Sequence, residues 1–407
     1  MKYIRIIGGN HLSGDVIIDG AKNSALPNIV ASLLCDECVL SNIPNISDVS
    51  KLLEILKSIG CEYKYESEKL IINSEGLNRN VLDNSLIGDI RGSYYLMGAL
   101  VNRFDAIVIS YPGGCNLGSR PIDYHLDGFK KLGIKVEEDN DRIVITKKDV
   151  IVGKITLPKP SVGATINLIL ASVRCVGETF IENASIEPEV QDVIQFLNKM
   201  GANISLTSER VVSIKGVNKL NNVEYKIKAD RIEAGTYALI GALFGSVNIF
   251  NVDIGDLKST VDVLSDLGCD VSYNNGVLEV RRNKLKRINI VTDVFPGFPT
   301  DLQQPFTVAL TRCGGTVTDN VFDNRFSNCK EINKMNGHIN VCGNVIQVYP
   351  TKLIGEMVTA KDLRGGMSLV LAGLIAEGET VVEDVEIIER GYTNFVKKLI
   401  KLGAKII

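Results

Sequence analysis

Apolar and polar positions alternate along the chain in one recurring order: a stretch apolar on nearly every side, a short alternating run, an amphipathic stretch closing on glycine, and further alternating runs. The glycine-closed stretch reads EILKSIGCEYKY, GFKKLGIKVEE, FLNKMGANISL, VLSDLGCDVSY, EINKMNGHINV and KLIKLGAKII, six copies at a spacing of roughly 70 residues. Its glycines are Gly60, Gly133, Gly201, Gly268, Gly337 and Gly403. A residue without Cβ enters the left-handed backbone region cheaply, so a glycine just past the last apolar turn marks a helix end. Each copy is expected to be a helix turning directly into a strand.

The all-round apolar stretches are KNSALPNIVASLLC, GDIRGSYYLMGALVNRF, SVGATINLILASVRCVG, DRIEAGTYALIGALFG, PTDLQQPFTVALTRCGG and DLRGGMSLVLAGLIAEG. Their small residues allow close approach, as in helices buried between layers. Runs such as GETFIENA, GSVNIFNV, GGTVTDNV and GETVVEDV, between the two helices of a repeat, read as strands. The expected class is α/β: two lobes of three helix-strand-helix-strand repeats, helices inside and sheets outside. Residues 22–229 are expected to form the N-terminal lobe, and residues 1–21 with 230–407 the C-terminal one. The uncharged window 234–252 has the length of a membrane span, but Gly235, Gly241, Gly245, Ser246, Asn248 and Asn251 interrupt it, and it recurs elsewhere as a helix-strand pair.

A chain of 407 residues exceeds what one hydrophobic core usually holds. Lys and Arg number 45 against 48 Asp and Glu, a net charge of −3, which excludes a broad polyanion-binding surface. Any phosphate must be held locally. Polar residues cluster where the buried helices begin: Lys22, Asn23, Arg91, Ser161, Arg231, Glu233, Asp301 and Arg364. Helix N-termini offer unpaired N–H groups and partial positive charge, so such starts hold anions, although the same residues serve as caps and buried ion pairs.

Nine cysteines without scaffold spacing fit a reducing, cytoplasmic compartment, and the opening MKYIRIIGGNHLSGD reads as strand and turn rather than an export signal. Cys35 and Cys38 form a lone C-x-x-C with no second pair and are assigned to the core; His11, His125 and His338 are too dispersed to bind a metal. His125 suits local hydrogen bonding as well as base chemistry. The loop YPGGCNLGSRPIDYHLDG places Cys115 after two glycines and five residues before Arg120, whose charge would favour a thiolate. A free cysteine in a plain loop is the other reading.

Eight colinear motifs carry a resemblance across nearly the whole chain: GAKNSALP (20–27), PGGCNLGSRPID (112–123), PSVGAT (160–165), DRIEAGT (230–236), FPTDLQ (298–303), VFDNRF (321–326), DLRGGMSLVLAG (362–373) and RGY (390–392). Together they resemble the UDP-N-acetylglucosamine 1-carboxyvinyltransferase family of enolpyruvyl transferases, which the cysteine loop separates from the shikimate-pathway branch. The resemblance implies the enolpyruvyl transferase fold, an inside-out α/β barrel in each lobe. It also implies transfer of the enolpyruvyl group of phosphoenolpyruvate to the 3′-hydroxyl of UDP-N-acetylglucosamine with release of phosphate, at the start of peptidoglycan synthesis. No cofactor and no metal are implied, and the partners are those two small molecules, with no nucleic acid and no membrane.

By motif, Cys115, Asp301 and Lys22 would be catalytic, with Cys115 the proton donor and the target of the epoxide fosfomycin. Lys22, Asn23, Arg120 and Arg390 would meet phosphoenolpyruvate. Arg91, Arg120, Pro121, Ile122, Asp123, Tyr124, Lys159, Pro160, Ser161, Val162, Asp301 and Val321 would line the sugar-nucleotide site. Gln303 to Pro305 and Gly365 to Met367 depart from the small or polar residues of the family pattern, and Pro160 and Tyr124 are substitutions within binding segments. A paralogue acting on another uridine nucleotide, or one that binds a nucleotide without turnover, remains an alternative reading.

Overall fold

The apolar stretches form the first helix of each repeat and the glycine-closed stretches the second. The computed structural model describes residues 2–82, 85–111, 122–139, 141–147 and 152–407. Helices α1 (Lys22–Ala31) and α2 (Ser47–Ser58) belong to the first repeat; α3 (Ser85–Asp89), α4 (Tyr95–Leu100) and α5 (Asp123–Lys131) to the second; α6 (Val162–Ser172) and α7 (Pro188–Lys199) to the third. Helices α8 (Arg231–Phe244) and α9 (Lys258–Asp266), α10 (Thr300–Cys313) and α11 (Ser327–Lys334), and α12 (Leu363–Ile375) and α13 (Phe395–Lys401) complete the other three. The buried helix of the second repeat is thus not continuous, as its sequence suggests, but broken by a 3₁₀ turn at Arg91–Tyr94. The hydroxyl of Ser93 donates back to the carbonyls of Ile87 and Ile90, at 3.0 and 2.8 Å, and so competes with a regular helical ladder.

Five of the six repeat glycines sit in the left-handed region, from Gly133 at φ 74° to Gly403 at φ 111°. In the fifth repeat that place is taken by Asn336, at φ 65°, and Gly337 follows it. Asparagine tolerates this conformation better than most residues with a Cβ, and the Asn336 amide donates to the Lys352 carbonyl at 3.0 Å. Gly337 is required for another reason: a Cβ there would lie 2.5 Å from the Ile332 carbonyl oxygen.

Among the described residues the strands form six four-stranded sheets. In the first, Glu37–Ser41 pairs antiparallel with Lys69–Asn73 (Cys38 opposite Ile72) and parallel with Val223–Lys226 (Cys38 opposite Val223). Cys38, Leu40, Leu70 and Ile72 point inward and are buried, as the period-two alternation requires. Two strands at the start of the chain complete sheets late in the sequence. Ser13–Ile17 runs parallel to Ser246–Phe250, and Tyr3–Ile7 lies between Glu379–Glu383 and Lys405–Ile406.

By contacts the described residues from 20 to 228 form one compact unit, and those up to 19 with those from 229 onward form another. Each has its own core, the first built on residues such as Ile29, Leu96 and Leu168, the second on Tyr237, Phe306 and Leu371. Burying one such side chain contributes about 1.5–3 kcal/mol. Close helix approach is visible at Gly98 in α4, where a Cβ would stand 2.3 Å from the Asn167 carbonyl oxygen of α6. In the uncharged window, α8 ends at Phe244 and a strand begins at Ser246; among the described residues no helix is long and apolar enough to cross a membrane.

Candidate active site

In the unit spanning 20 to 228, α1 starts after Ala21 in extended conformation, a residue that offers no capping side chain. Lys22 opens the helix, and its ammonium lies 2.6 Å from the buried carboxylate of Asp48, in the first turn of α2. Asn23 beside it is exposed. Asp48 was not singled out by sequence, where it looks like an ordinary residue of an amphipathic helix. A Cβ at Gly92 would meet Leu26 of α1 at 2.9 Å, so the turn bearing Arg91 packs directly on this helix. The Arg91 guanidinium carbon lies 5.9 Å above the Tyr94 ring, and burial draws its pKa down.

Tyr94 also meets His125, whose ring centre stands 4.7 Å away, edge-on. Asn167 fixes the histidine's state. Its Oδ1 accepts from the Gly98 N–H at 2.7 Å, so Nδ2 is the donor, reaching the Tyr94 carbonyl at 2.8 Å and His125 Nδ1 at 2.9 Å. His125 Nδ1 must therefore be an unprotonated acceptor. Burial, with Arg91 adding to it, pushes the imidazole pKa down to about 3. Between its two readings, His125 is a neutral hydrogen-bonding residue.

Ile122 is buried at the start of α5, Asp123 is exposed in its first turn and Tyr124 is half-buried. Exposed Lys159 and half-buried Pro160 lead to Ser161, which caps α6 by accepting from the Ala164 N–H at 3.3 Å; half-buried Val162 follows. A Cβ at Gly163 would come within 2.7 Å of the Tyr94 hydroxyl and 3.0 Å of the His125 ring. The Tyr94–His125 pair thus draws Arg91, the start of α5 and the N-terminus of α6 to one place. Cys115, Arg120 and Pro121 lie outside the described residues.

In the other unit, Asp301 stands in the first turn of α10 with 24% of its side chain exposed. Its Oδ1 accepts from Arg325 Nη2 at 2.6 Å, and its Oδ2 lies 3.2 Å from Arg364 Nη2. Both arginine side chains are at most 5% exposed. Burial works against the charge of Arg364, but Tyr392, Asp301 and Asp230 outweigh it and raise its pKa; the Tyr392 ring centre is 5.0 Å from the guanidinium carbon. Arg325 Nε and Arg364 Nη1 are buried and meet no acceptor among the described residues. The result is a carboxylate fixed in orientation by two buried cations. Arg325 lies inside VFDNRF, a motif used in the sequence only to place Val321.

Val321 is half-buried, with its N–H held by Asp319 at 3.0 Å. Arg390 ends a 3₁₀ turn at Val385–Arg390 and is half-buried, and half-buried Arg231 opens α8 with its guanidinium carbon 5.8 Å above Phe295. Glu233 is buried beside the Lys398 ammonium at 2.6 Å, and its other oxygen accepts from the Asp19 N–H at 3.0 Å. Burial raises its carboxyl to about 7, against the pull of Lys398. It ties α8 to α13 and to residue 19, and so belongs to the framework.

The expectation that the helix starts hold ligand anions fails for α8 and α12. Asp230 caps α8 through the N–H groups of Ile232 and Glu233, and Asp362 caps α12 through Gly365. A carboxylate already fills those donors and offsets the helix dipole. The departures at 303–305 and 365–367 meet here: Gln304 donates to Asp362 Oδ2 at 3.2 Å, and a Cβ on Gly365 would stand 3.1 Å from Gln304 Nε2. Glycine makes room for the longer amide. Cys35 and Cys38 are buried with their sulfurs 3.1 Å apart, and among the described residues no three histidine, cysteine or acidic side chains gather as metal ligands do.

Residues 6–399 match the family model described as EPSP synthase (3-phosphoshikimate 1-carboxyvinyltransferase). A Bacillus cereus protein named UDP-N-acetylglucosamine 1-carboxyvinyltransferase 2 is 44% identical over 100% of this chain and 96% of its own. A Halothermothrix orenii protein named UDP-N-acetylglucosamine 1-carboxyvinyltransferase is 42% identical over 98% of both chains. Among solved structures, the enolpyruvyl transferase NikO from Streptomyces tendae superimposes with a TM-score of 0.91 at 24% identity, covering 100% of this chain and 98% of its own. EPSP synthase from Acinetobacter baumannii gives 0.76 at 16% identity, with both chains covered completely. These two similarities establish the enolpyruvyl transferase fold, and with the full-length match to the family model and to its relatives they place the chain in the EPSP synthase family of enolpyruvyl transferases.

Proposed function

We propose that the chain transfers the enolpyruvyl group of phosphoenolpyruvate to the 3′-hydroxyl of UDP-N-acetylglucosamine, releasing inorganic phosphate, at the entry to peptidoglycan synthesis in the cytoplasm. The observation that carries this reading is identity of 42–44%, sustained over the whole chain, to proteins named for that reaction. The hydroxyl oxygen adds to C2 of phosphoenolpyruvate while C3 takes a proton; the tetrahedral adduct then loses a proton from C3 and expels phosphate. Such a sequence needs cations for a phosphate and a carboxylate, an acid for C3 and an acceptor for the hydroxyl proton.

The residues suit those tasks by type. From 20 to 228, Lys22 and Asn23 with Arg120 serve phosphoenolpyruvate; Arg91, Arg120 to Tyr124 and Lys159 to Val162 serve the nucleotide; Cys115 gives the proton to C3. From 229 onward, Asp301 receives the hydroxyl proton, Arg390 serves phosphoenolpyruvate, and Val321 lies against the sugar nucleotide. Support for Asp301 comes from its orientation by Arg325 and Arg364.

The test is release of phosphate from phosphoenolpyruvate with no nucleotide, with UDP-N-acetylglucosamine and with other uridine nucleotides. Saturable release that requires UDP-N-acetylglucosamine is expected. Release only with a different uridine nucleotide, or none at all, overturns the reading.

A further inference from the structure

Asp319 ends the strand Gly315–Asp319, is 2% exposed, and belongs to none of the residues assigned above to substrate. Among the described residues its carboxylate takes four hydrogen bonds. Oδ1 accepts from the Thr292 hydroxyl at 2.7 Å and from the N–H groups of Val321 and Phe322 at 3.0 and 3.2 Å. Oδ2 accepts from the Thr300 hydroxyl at 2.7 Å. A hydroxyl whose proton is committed to a carboxylate turns its lone pairs elsewhere, and here Arg325 Nη1 donates to Thr300 Oγ1 at 3.0 Å. The same guanidinium, through Nη2, holds Asp301 Oδ1 at 2.6 Å. One buried carboxylate therefore sets both the backbone at Val321 and, through Thr300 and Arg325, the orientation of Asp301.

Pro299, which precedes α10, supplies no capping side chain, and the Phe322 ring, whose N–H is itself fixed by Asp319, packs 5.3 Å from the Arg325 guanidinium carbon. We infer that Asp319 is a positioning residue for enolpyruvyl transfer: the chain Asp319–Thr300–Arg325–Asp301 aims the carboxylate that accepts the substrate proton, while the Asp319–Val321 contact shapes the wall against the sugar nucleotide. This rests on the reaction proposed above, and its test must stand apart from that proposal.

Asp319→Asn in the full chain replaces one acceptor oxygen by a donor facing groups that themselves donate. It should lower kcat on the order of 10- to 100-fold, since small misplacement of a reacting group costs that much, with KM for phosphoenolpyruvate changing by less than about threefold. Thr300→Val should reproduce the kcat loss, Thr300→Ser should restore it, and the double variant should be no worse than Asp319→Asn within about twofold. Asn333→Ala removes a part-buried framework contact to Ile339 and should lower Tm without lowering kcat. Losses in kcat that merely track Tm across these variants, or add in the double variant, overturn the inference, and if Asp319→Asn does not fold the Thr300 pair decides. Should wild-type protein release no phosphate, the reaction assignment fails and urea unfolding decides the positioning chain alone. Midpoint shifts of Asp319→Asn and Arg325→Lys should then be non-additive in wild-type background and additive in Thr300→Val; additivity in both overturns it.

Discussion

The two units repeat one order of helices and strands but treat the N-termini of their buried helices in opposite ways. In the unit from 20 to 228, α1 begins with Lys22 after Ala21, which offers no capping side chain, α6 is capped by the neutral Ser161 hydroxyl, and His125 is kept uncharged. In the unit from 229 onward, carboxylates cap α8 and α12, and α10 begins with Asp301 between two guanidinium groups. Helix starts without a carboxylate cap, and a lysine, suit anion binding; carboxylate-capped starts and a clamped carboxylate suit proton handling. A repeated fold thus need not repeat its chemistry, because one residue at each helix start decides which it supports.

The contrast breaks first at Asp301. Asp301→Ala should lose on the order of 10² to 10⁴ in turnover, with sugar-nucleotide affinity changing less. It also leaves two buried arginines without their carboxylate, a cost of about 3–5 kcal/mol seen in urea unfolding. Wild-type turnover with only a raised KM would make Asp301 a binding group and erase the division.

Lys398→Met sharpens the framework side of the comparison. It removes the cation beside Glu233 and Asp19, so about 3 kcal/mol should be lost at pH 8, where the folded variant must either hold Glu233 charged and unpaired or take up a proton against the pH. With Lys398 present, Glu233 titrates at about 7, above its unfolded value, so its stability contribution is full at low pH and declines as pH rises through 7. Without the cation, protonation relieves the variant, and its deficit at pH 6 should be smaller than at pH 8. Equal deficits at both would show that Glu233 does not titrate in this range.

His125 runs the other way. Its folded pKa of about 3 lies below the unfolded value, so its contribution is present above pH 6.5 and is lost as pH falls. About 2 kcal/mol should disappear between pH 6.5 and 5. His125→Asn can still accept from Asn167 and should flatten that dependence, whatever its baseline stability; an unchanged slope would assign the effect elsewhere. The smallest effect belongs to Asn336→Ala, expected to cost about 1 kcal/mol by placing alanine in the left-handed region, with Asn336→Gly costing less in thermal unfolding.

The repeat was legible because a helix end leaves a local mark, the glycine at its left-handed position; the fifth repeat shows the same mark at Gly337, but its left-handed residue is Asn336, one position earlier, because asparagine can serve there. Residues within one motif, such as Lys22 with Asn23 or Asp123 with Tyr124, could be grouped from the sequence because they are neighbours in the chain. The ion pairs were not: Asp48 lies a helix away from Lys22, Arg325 lies beyond the strand that follows Asp301's helix and Arg364 in the next repeat, and Lys398 reaches back to Asp19. Nothing local predicts such partners, since each looks alone like a solvated charge. Their only trace was a charged residue inside an otherwise apolar stretch, as at Arg364 and Glu233.

Addition followed by elimination can be followed by forming product from phosphoenolpyruvate and UDP-N-acetylglucosamine in heavy water. Protonation of C3 from an exchangeable group and later loss of a proton should leave deuterium on the vinyl carbon of the product, with phosphate released in equal amount. A product carrying only protium at that carbon would contradict it.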